Sequence, residues 1–254
     1  MKLSFIPKHT KYQLSDYNIM YDSRTIPYNG KPIIYLQVEP EAVIPYRDYL
    51  LKNWNLYFKI FTYDHVLLEK CPNAVKYIFG SNTIGYIPKN ISKKEFKISS
   101  LTGDKDSLIG HRLRKTLYNN QSMFPDNFVF FASHKATTLT ITDKNPKIYD
   151  SKIPLFETFQ FSIVIECSQQ HNYFTEKLID CLLTKTIPVY WGCPNIGEYF
   201  DTTGWIFFND LDIPKLTPDH YNKYIDIVEK NNLTSIKYGS FYKNLERSGL
   251  LINY

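Results

Sequence analysis

Three short stretches concentrate residue types suited to holding a phosphate anion. In YFTEKLIDCLLTK (173–185), an apolar stripe of Leu178, Ile179, Leu182 and Leu183 begins directly after Thr175-Glu176-Lys177. Thr175 is a good N-cap type, so Glu176 and Lys177 fall at the first two helical positions. A lysine there opposes the helix macrodipole, at a cost of about 0.3–1 kcal/mol. A bound diphosphate would supply the missing negative charge, because free N–H groups beside a cation form an anion site. On this reading, removing Lys177 leaves the unliganded fold no less stable. Glu176 beside it can accept hydrogen bonds from the paired hydroxyls of a ribose. In GHRLRKTLYNN (110–120), His111, Arg112, Arg114 and Lys115 crowd a second helix start, again a place for an anion. Arg112 is the first candidate, and Arg114 takes its place if the helix register is off by two. WGCPN (191–195) is a strand-to-helix turn in which Gly192 permits close backbone approach and Pro194 suits a first helical position. Gly192 and Asn195 are its candidate ligand contacts. The triplet DKD (104–106) has the form of a metal-binding DxD, but no convincing His/Asp/Glu ligand spacing accompanies it, so no metal is expected.

These stretches need elements to position them. Continuous apolar runs separated by polar, helix-like segments read as parallel strands buried on both faces. The spacing predicts strands over 31–38, 56–63, 95–101, 127–133, 159–166, 187–191 and 205–209. Helices are expected near 108–121, 175–185, briefly after Pro194, then 218–231 and 235–248. The Pro/Lys/Asn-rich stretch GYIPKNISKKE (85–95) reads as a linker. Residues 1–92 therefore form one lobe and 93–254 another. Alternation of strand and helix predicts stacked βαβ units, an α/β chain of two Rossmann-like lobes with parallel sheets. Ligands bind such sheets beyond the strand C-termini, where all three stretches would gather.

Composition narrows the classes. The chain has 254 residues, of which 43% are hydrophobic and 22% charged, so it can build a sizeable core. A net charge of +5 without a dense basic run suits a small anionic ligand and not a nucleic acid. Cys71, Cys167, Cys181 and Cys193 show no CxxC pairing, which points to free thiols in a reducing compartment, hence the cytoplasm. The opening residues lack a signal-peptide core, and no apolar stretch is long enough for a transmembrane segment.

The block FSIVIECSQQHNYFTEKLIDCLLTKTIPVYWGCPNIGEYFDTTGWIFFND (161–210) resembles the donor-binding block of the α1,3-fucosyltransferases. That family's pattern is roughly Phe-Glu-Asn-Ser, a spacer, Tyr-Val-Thr-Glu-Lys, then Ile-Pro-Ile-Tyr-Trp-Gly. GHRLRKTLYNN is similar to its Arg-bearing helix, and IIYLQVEPE (33–41) to its strand ending in a glutamate. The resemblance implies a GT-B fold and inverting transfer of fucose from GDP-fucose to a glycan acceptor, without a metal cofactor. It implies that Lys177 and Arg112 grip the diphosphate, that Glu176 and Tyr173 contact the nucleoside, and that Glu39 is the catalytic base. Glu39 stands where the apolar run IIYLQV stops, with Glu41 the alternative. Two departures stand out. Cys167 replaces the motif's Asn in the donor site, which leaves open another nucleotide deoxyhexose as donor. The first lobe is shortened, which leaves open a non-catalytic module that binds nucleotide sugar or glycan.

Overall fold

Apolar runs with no polar alternation have only one stable home in a sheet, a strand covered on both faces. FQFSIVI (159–165) and IPVYW (187–191) are buried at every residue, and IIYL (33–36) likewise. A computed structural model describes residues 12–14, 17–27, 29–85, 93–142, 145–149, 151–207 and 216–250. Most of the expected linker, 86–92, and the end of the strand expected at 205–209 lie outside the described residues.

The chain divides into two compact units. The first comprises residues 1–79, 170–173 and 241–254; the second comprises 80–169 and 174–240. The division thus falls at Phe79/Gly80 instead of 92/93, and two later segments return to the first unit. Gly80–Thr83 group with the second unit because Asn82 Nδ2 donates to the Gly239 carbonyl (2.6 Å) and Thr83 is held by Asp180.

In the first unit the described strands are β1 (Tyr12–Leu14), β2 (Tyr17–Tyr21), β3 (Ile33–Leu36), β4 (Lys59–Thr62) and β5 (Ala74–Lys76). They lie in that order, parallel except for the β1–β2 pair. Helices α1 (Arg47–Asn53) and α2 (His65–Lys70) make the crossovers β3 to β4 and β4 to β5. The core gathers Tyr35, Leu50, Ile60 and Leu67. Asp64 caps α2 by accepting from Val66 N and Leu67 N, and it also takes Arg47 Nη2 at 2.6 Å.

The second unit holds β6 (Glu95–Thr102), α3 (Ile109–Asn119), β7 (Phe128–Ser133), β8 (Lys147–Ile148), β9 (Phe159–Ile165) and α4 (Glu176–Leu183). These are followed by β10 (Ile187–Trp191), β11 (Ile206–Phe207), α5 (Pro218–Lys223) and α6 (Ile225–Tyr238). Helix α7 (Phe241–Arg247) belongs to the first unit. The sheet is parallel throughout, in the order β11-β10-β9-β6-β7-β8. The chain winds outward from β6 to β8, returns to lay β9 on the other side of β6, and winds outward again. The direction therefore reverses between β6 and β9, the place where open α/β sheets leave a crevice at their C-terminal edge.

Candidate functional site

The two helices that leave the reversal point are α3, after β6, and α4, after β9. Their starts are pressed onto the end of β9. Gly110 N donates to the Cys167 carbonyl (3.1 Å), and a Cβ at Gly110 would lie 1.8 Å from the Glu166 carbonyl oxygen. Only glycine allows that approach. From the next turn of α3, Arg114 Nη1 reaches the Ile165 carbonyl at 2.6 Å. Thr175 caps α4, its hydroxyl accepting from Lys177 N, and Leu178, Ile179, Leu182 and Leu183 are buried as the stripe predicts. Between these elements lies a cavity of about 200 Å³. Leu101, Gly103, Ser133 and Ser162–Ile165 line it from the strands, and Arg114, Lys152, Glu176 and Lys177 supply its charge.

Lys177 is already charge-compensated. Its ammonium lies 3.3 Å from Glu166 Oε2 and 3.5 Å from Glu176 Oε1. Glu166 is fully buried and also accepts Thr175 N and Thr175 Oγ1, each at 2.8 Å. Burial alone would depress the Lys177 ammonium, yet Glu176 and Glu166 hold it above its ordinary value. The expectation that only a ligand balances this lysine is therefore corrected: a carboxylate at the end of β9 does so within the protein. Gly192 serves the same packing, since a Cβ there would sit 2.7 Å from Glu166 Cγ and 2.5 Å from the Tyr190 hydroxyl.

Glu176 is shared between two lysines. Lys152 Nζ lies 3.5 Å from Glu176 Oε1, and Lys177 Nζ stands at the same distance from the same oxygen. Burial works to raise the Glu176 carboxyl, but Lys177 and Lys152 outweigh it and hold the group well below the usual carboxylate range. His111 is driven the other way: burial, then the nearby Arg114, Lys105 and Lys177, lower it to about 4. It is neutral at pH 7.

Of the predicted site residues, Arg114, Glu176 and Lys177 come together in the cavity lining. Arg112 does not; exposed, it donates to the Asp106 and Ser107 carbonyls, both at 3.1 Å. The register alternative, Arg114, is the one that faces inward. Tyr173 is buried in the first unit against Tyr63 (5.2 Å between rings) and Phe79 (6.3 Å). Cys167 is buried behind the start of α3, and Asn195 accepts from Cys193 Sγ at 3.1 Å. Neither is among the cavity-lining residues, nor is Gly192. Glu39 lies in the first unit, three residues past β3, which stops early because Asp22 takes the N–H groups of Val38 and Glu39 (2.9 Å each). Glu41 accepts Arg47 N at 3.0 Å at the start of α1, and burial raises its carboxyl. In the DKD triplet, Asp104 accepts from the N–H and hydroxyl groups of both Thr137 and Thr138, at 2.6–3.2 Å. Among the described residues, no three His, Cys, Asp or Glu side chains gather as metal ligands. Sequence reasoning missed Glu166 and Lys152.

A parallel sheet whose reversal point gathers cations and two helix starts defines the class, a Rossmann-type α/β unit. Residues 135–249 match the model described as Glycosyltransferase family 10 (fucosyltransferase) C-term. An alpha-(1,3)-fucosyltransferase FucT of Helicobacter pylori is 29% identical over 109 residues, 40% of this chain and 23% of the relative. The 4-galactosyl-N-acetylglucosaminide 3-alpha-L-fucosyltransferase 9 of Bos taurus is 30% identical over 106 residues, 41% of this chain and 27% of the relative. The similarity thus spans about a quarter of each curated relative. Among solved structures, an alpha1,3-fucosyltransferase superposes with TM-score 0.50 at 16% identity, covering 89% of this chain and 68% of that one. Anabaena Alr3699/HepE in complex with UDP-glucose does so with TM-score 0.56 at 8% identity, covering 86% and 71%. At such identities the likeness is one of fold, and the fold is GT-B-like. No described helix is long and apolar enough to cross a membrane.

Proposed function

We propose that the chain is an inverting glycosyltransferase that moves fucose from GDP-fucose to a glycan hydroxyl. The observation that carries this reading is the cavity at the sheet's reversal point, lined by Arg114 and, from inside the segment that matches the fucosyltransferase family model, by Lys152, Glu176 and Lys177. Its volume of about 200 Å³ is below the roughly 300–1,000 Å³ of drug-sized sites, so it accounts for the diphosphate and ribose of the donor alone. In the reaction a base, assigned to Glu39, removes the acceptor hydroxyl's proton as that oxygen attacks the anomeric carbon from the face opposite the diphosphate. Negative charge grows on the leaving diphosphate, where Lys177, Arg114 and the N–H groups opening α4 stabilise it. With that much positive charge supplied by the protein, and with Asp104 engaged by Thr137 and Thr138, transfer is expected to proceed without a divalent metal. Activity abolished by EDTA and restored by Mn²⁺ or Mg²⁺ would overturn that. Four buried free thiols favour a reducing compartment such as the cytoplasm.

A second reading keeps the site and changes the sugar. Cys167 in place of the motif's Asn favours it, and a donor panel separates the two. A thermal-shift screen with GDP, UDP and their sugars tests the whole reading, because a ligand at 100 times its Kd adds about 2.7 kcal/mol. Donor hydrolysis or transfer above background would rule out the remaining alternative, a non-catalytic module that binds nucleotide sugar or glycan.

A further inference from the structure

We propose that Lys152 is a positioning residue of the donor site, acting through Glu176 to fix the carboxylate that receives the ribose hydroxyls. The inference rests on the nucleotide reading above. Lys152 stands in the turn before the short 3-10 segment Ile153–Leu155, outside every stretch that the sequence marks as chemical. Its side chain is 27% exposed and lines the cavity. In front of it, at 3.5 Å, is Glu176 Oε1; behind it, at 3.8 Å, is Asp180 Oδ2. Asp180 is fully buried and immobilised, accepting Thr83 N at 2.8 Å and Thr83 Oγ1 at 2.5 Å. A lysine serving solubility alone has no use for a buried carboxylate at its back, and exposed ion pairs contribute little to stability.

The geometry instead makes a relay of fixed charges. Thr83 holds Asp180, Asp180 holds Lys152, and Lys152 joins Lys177 in holding Glu176. Both ammonium groups reach the same oxygen, Oε1, at 3.5 Å. Glu176 is thereby kept ionised and in one orientation, the state in which a carboxylate accepts hydrogen bonds from paired hydroxyls. Lys177 alone cannot do this, because it is also drawn to Glu166.

The test measures Kd values of the full chain for GDP, 2′-deoxy-GDP and GMP by calorimetry, in wild type, Lys152→Met, Lys152→Gln and Lys152→Arg. Wild type is expected to prefer GDP over 2′-deoxy-GDP by on the order of tenfold, the scale of a hydrogen bond to a charged group. That preference should fall to near unity in Lys152→Met and Lys152→Gln and survive in Lys152→Arg, while the GDP-over-GMP preference persists in all. If one neutral variant does not fold, the other carries the comparison. Loss of the GDP-over-GMP preference with the ribose preference intact would make Lys152 a direct phosphate ligand and overturn the proposal. Unchanged preferences would overturn it too, as would a wild type that binds GDP and 2′-deoxy-GDP equally. A wild type that binds no GDP at all would remove the nucleotide reading itself.

Discussion

At the scale of single residues, Glu166 alters what Lys177 means. The lysine is paired with a buried carboxylate before any ligand arrives, so its removal acts on the fold as well as on binding. Lys177→Ala is expected to weaken GDP binding and to lower stability by about 1–3 kcal/mol, the range for leaving a buried hydrogen-bonded charge short of a partner. The Thr175 N–H and hydroxyl remain on Glu166 and keep the loss at the lower end. Chemical denaturation showing unchanged stability would contradict the pairing. For the base, Glu39→Gln is expected to cut transfer by roughly 10²–10⁴-fold with GDP affinity unchanged. Glu41 is tied to the start of α1 through Arg47 N, so Glu41→Ala should show its effect in melting temperature first. Near-normal turnover in Glu39→Gln would release Glu39 from the mechanism. Lys177, Glu176 and the Arg112/Arg114 pair were legible because cations at helix starts are chemically conspicuous. Glu166 was equally legible in principle, since it ends an apolar strand just as Glu39 ends IIYLQV. Lys152 carries no local signal; its role exists only through Asp180 and Glu176, which are distant in sequence.

At the scale of elements, α4 is the piece that ties the site together, and it contains a pH-sensitive anchor. Burial raises the Asp180 carboxyl to about 6, against the opposing pull of Lys152 and the Thr83 donors. The folded state therefore holds this proton more tightly than the unfolded chain. The corresponding stability is complete below about pH 4 and is lost as pH rises through about 6. Asp180→Asn removes that dependence, so wild type should lose on the order of 1–3 kcal/mol against the variant between pH 4 and pH 7. Parallel stability curves across that range would show that Asp180 ionises normally. The long strands of the second unit were readable because burial on both faces removes polar alternation. β1, β2, β5 and β8 escaped because they are short and carry polar residues, and α1 and α2 because seven and six residues give no clear period. The helices expected at 218–231 and 235–248 are instead α5, α6 and α7. Asn231 and Asn232 look like breakers, yet they continue α6 because Asn231 bonds Asp201 and Asn232 bonds the Leu182 and Leu183 carbonyls.

At the scale of the whole molecule, the two units are interleaved in sequence. The chain passes from one to the other at 79/80, 169/170, 173/174 and 240/241. Gln170 and Asn172 bond Asp64 and the Tyr63 carbonyl, and Phe241 packs its ring against Tyr77 and Phe79, so the first unit draws on three separate stretches. Cutting the chain after Ser240 should therefore expose amides of β3 and β4 to hydrogen exchange while β9 and β10 stay protected. Protection lost first in β9 and β10 would contradict that division. The interleaving also bears on how the protein is made. A ribosome releases β3, β4 and β5 early, but the aromatic residue that closes over Tyr77 and Phe79 emerges only after the entire second unit has been translated. At about 5–20 residues per second, the nascent first unit waits on the order of ten seconds without that cover. During that interval its tyrosines and phenylalanines are open to chaperones and to neighbouring nascent chains, so yield on overexpression will be limited by the unit whose strands are synthesised first.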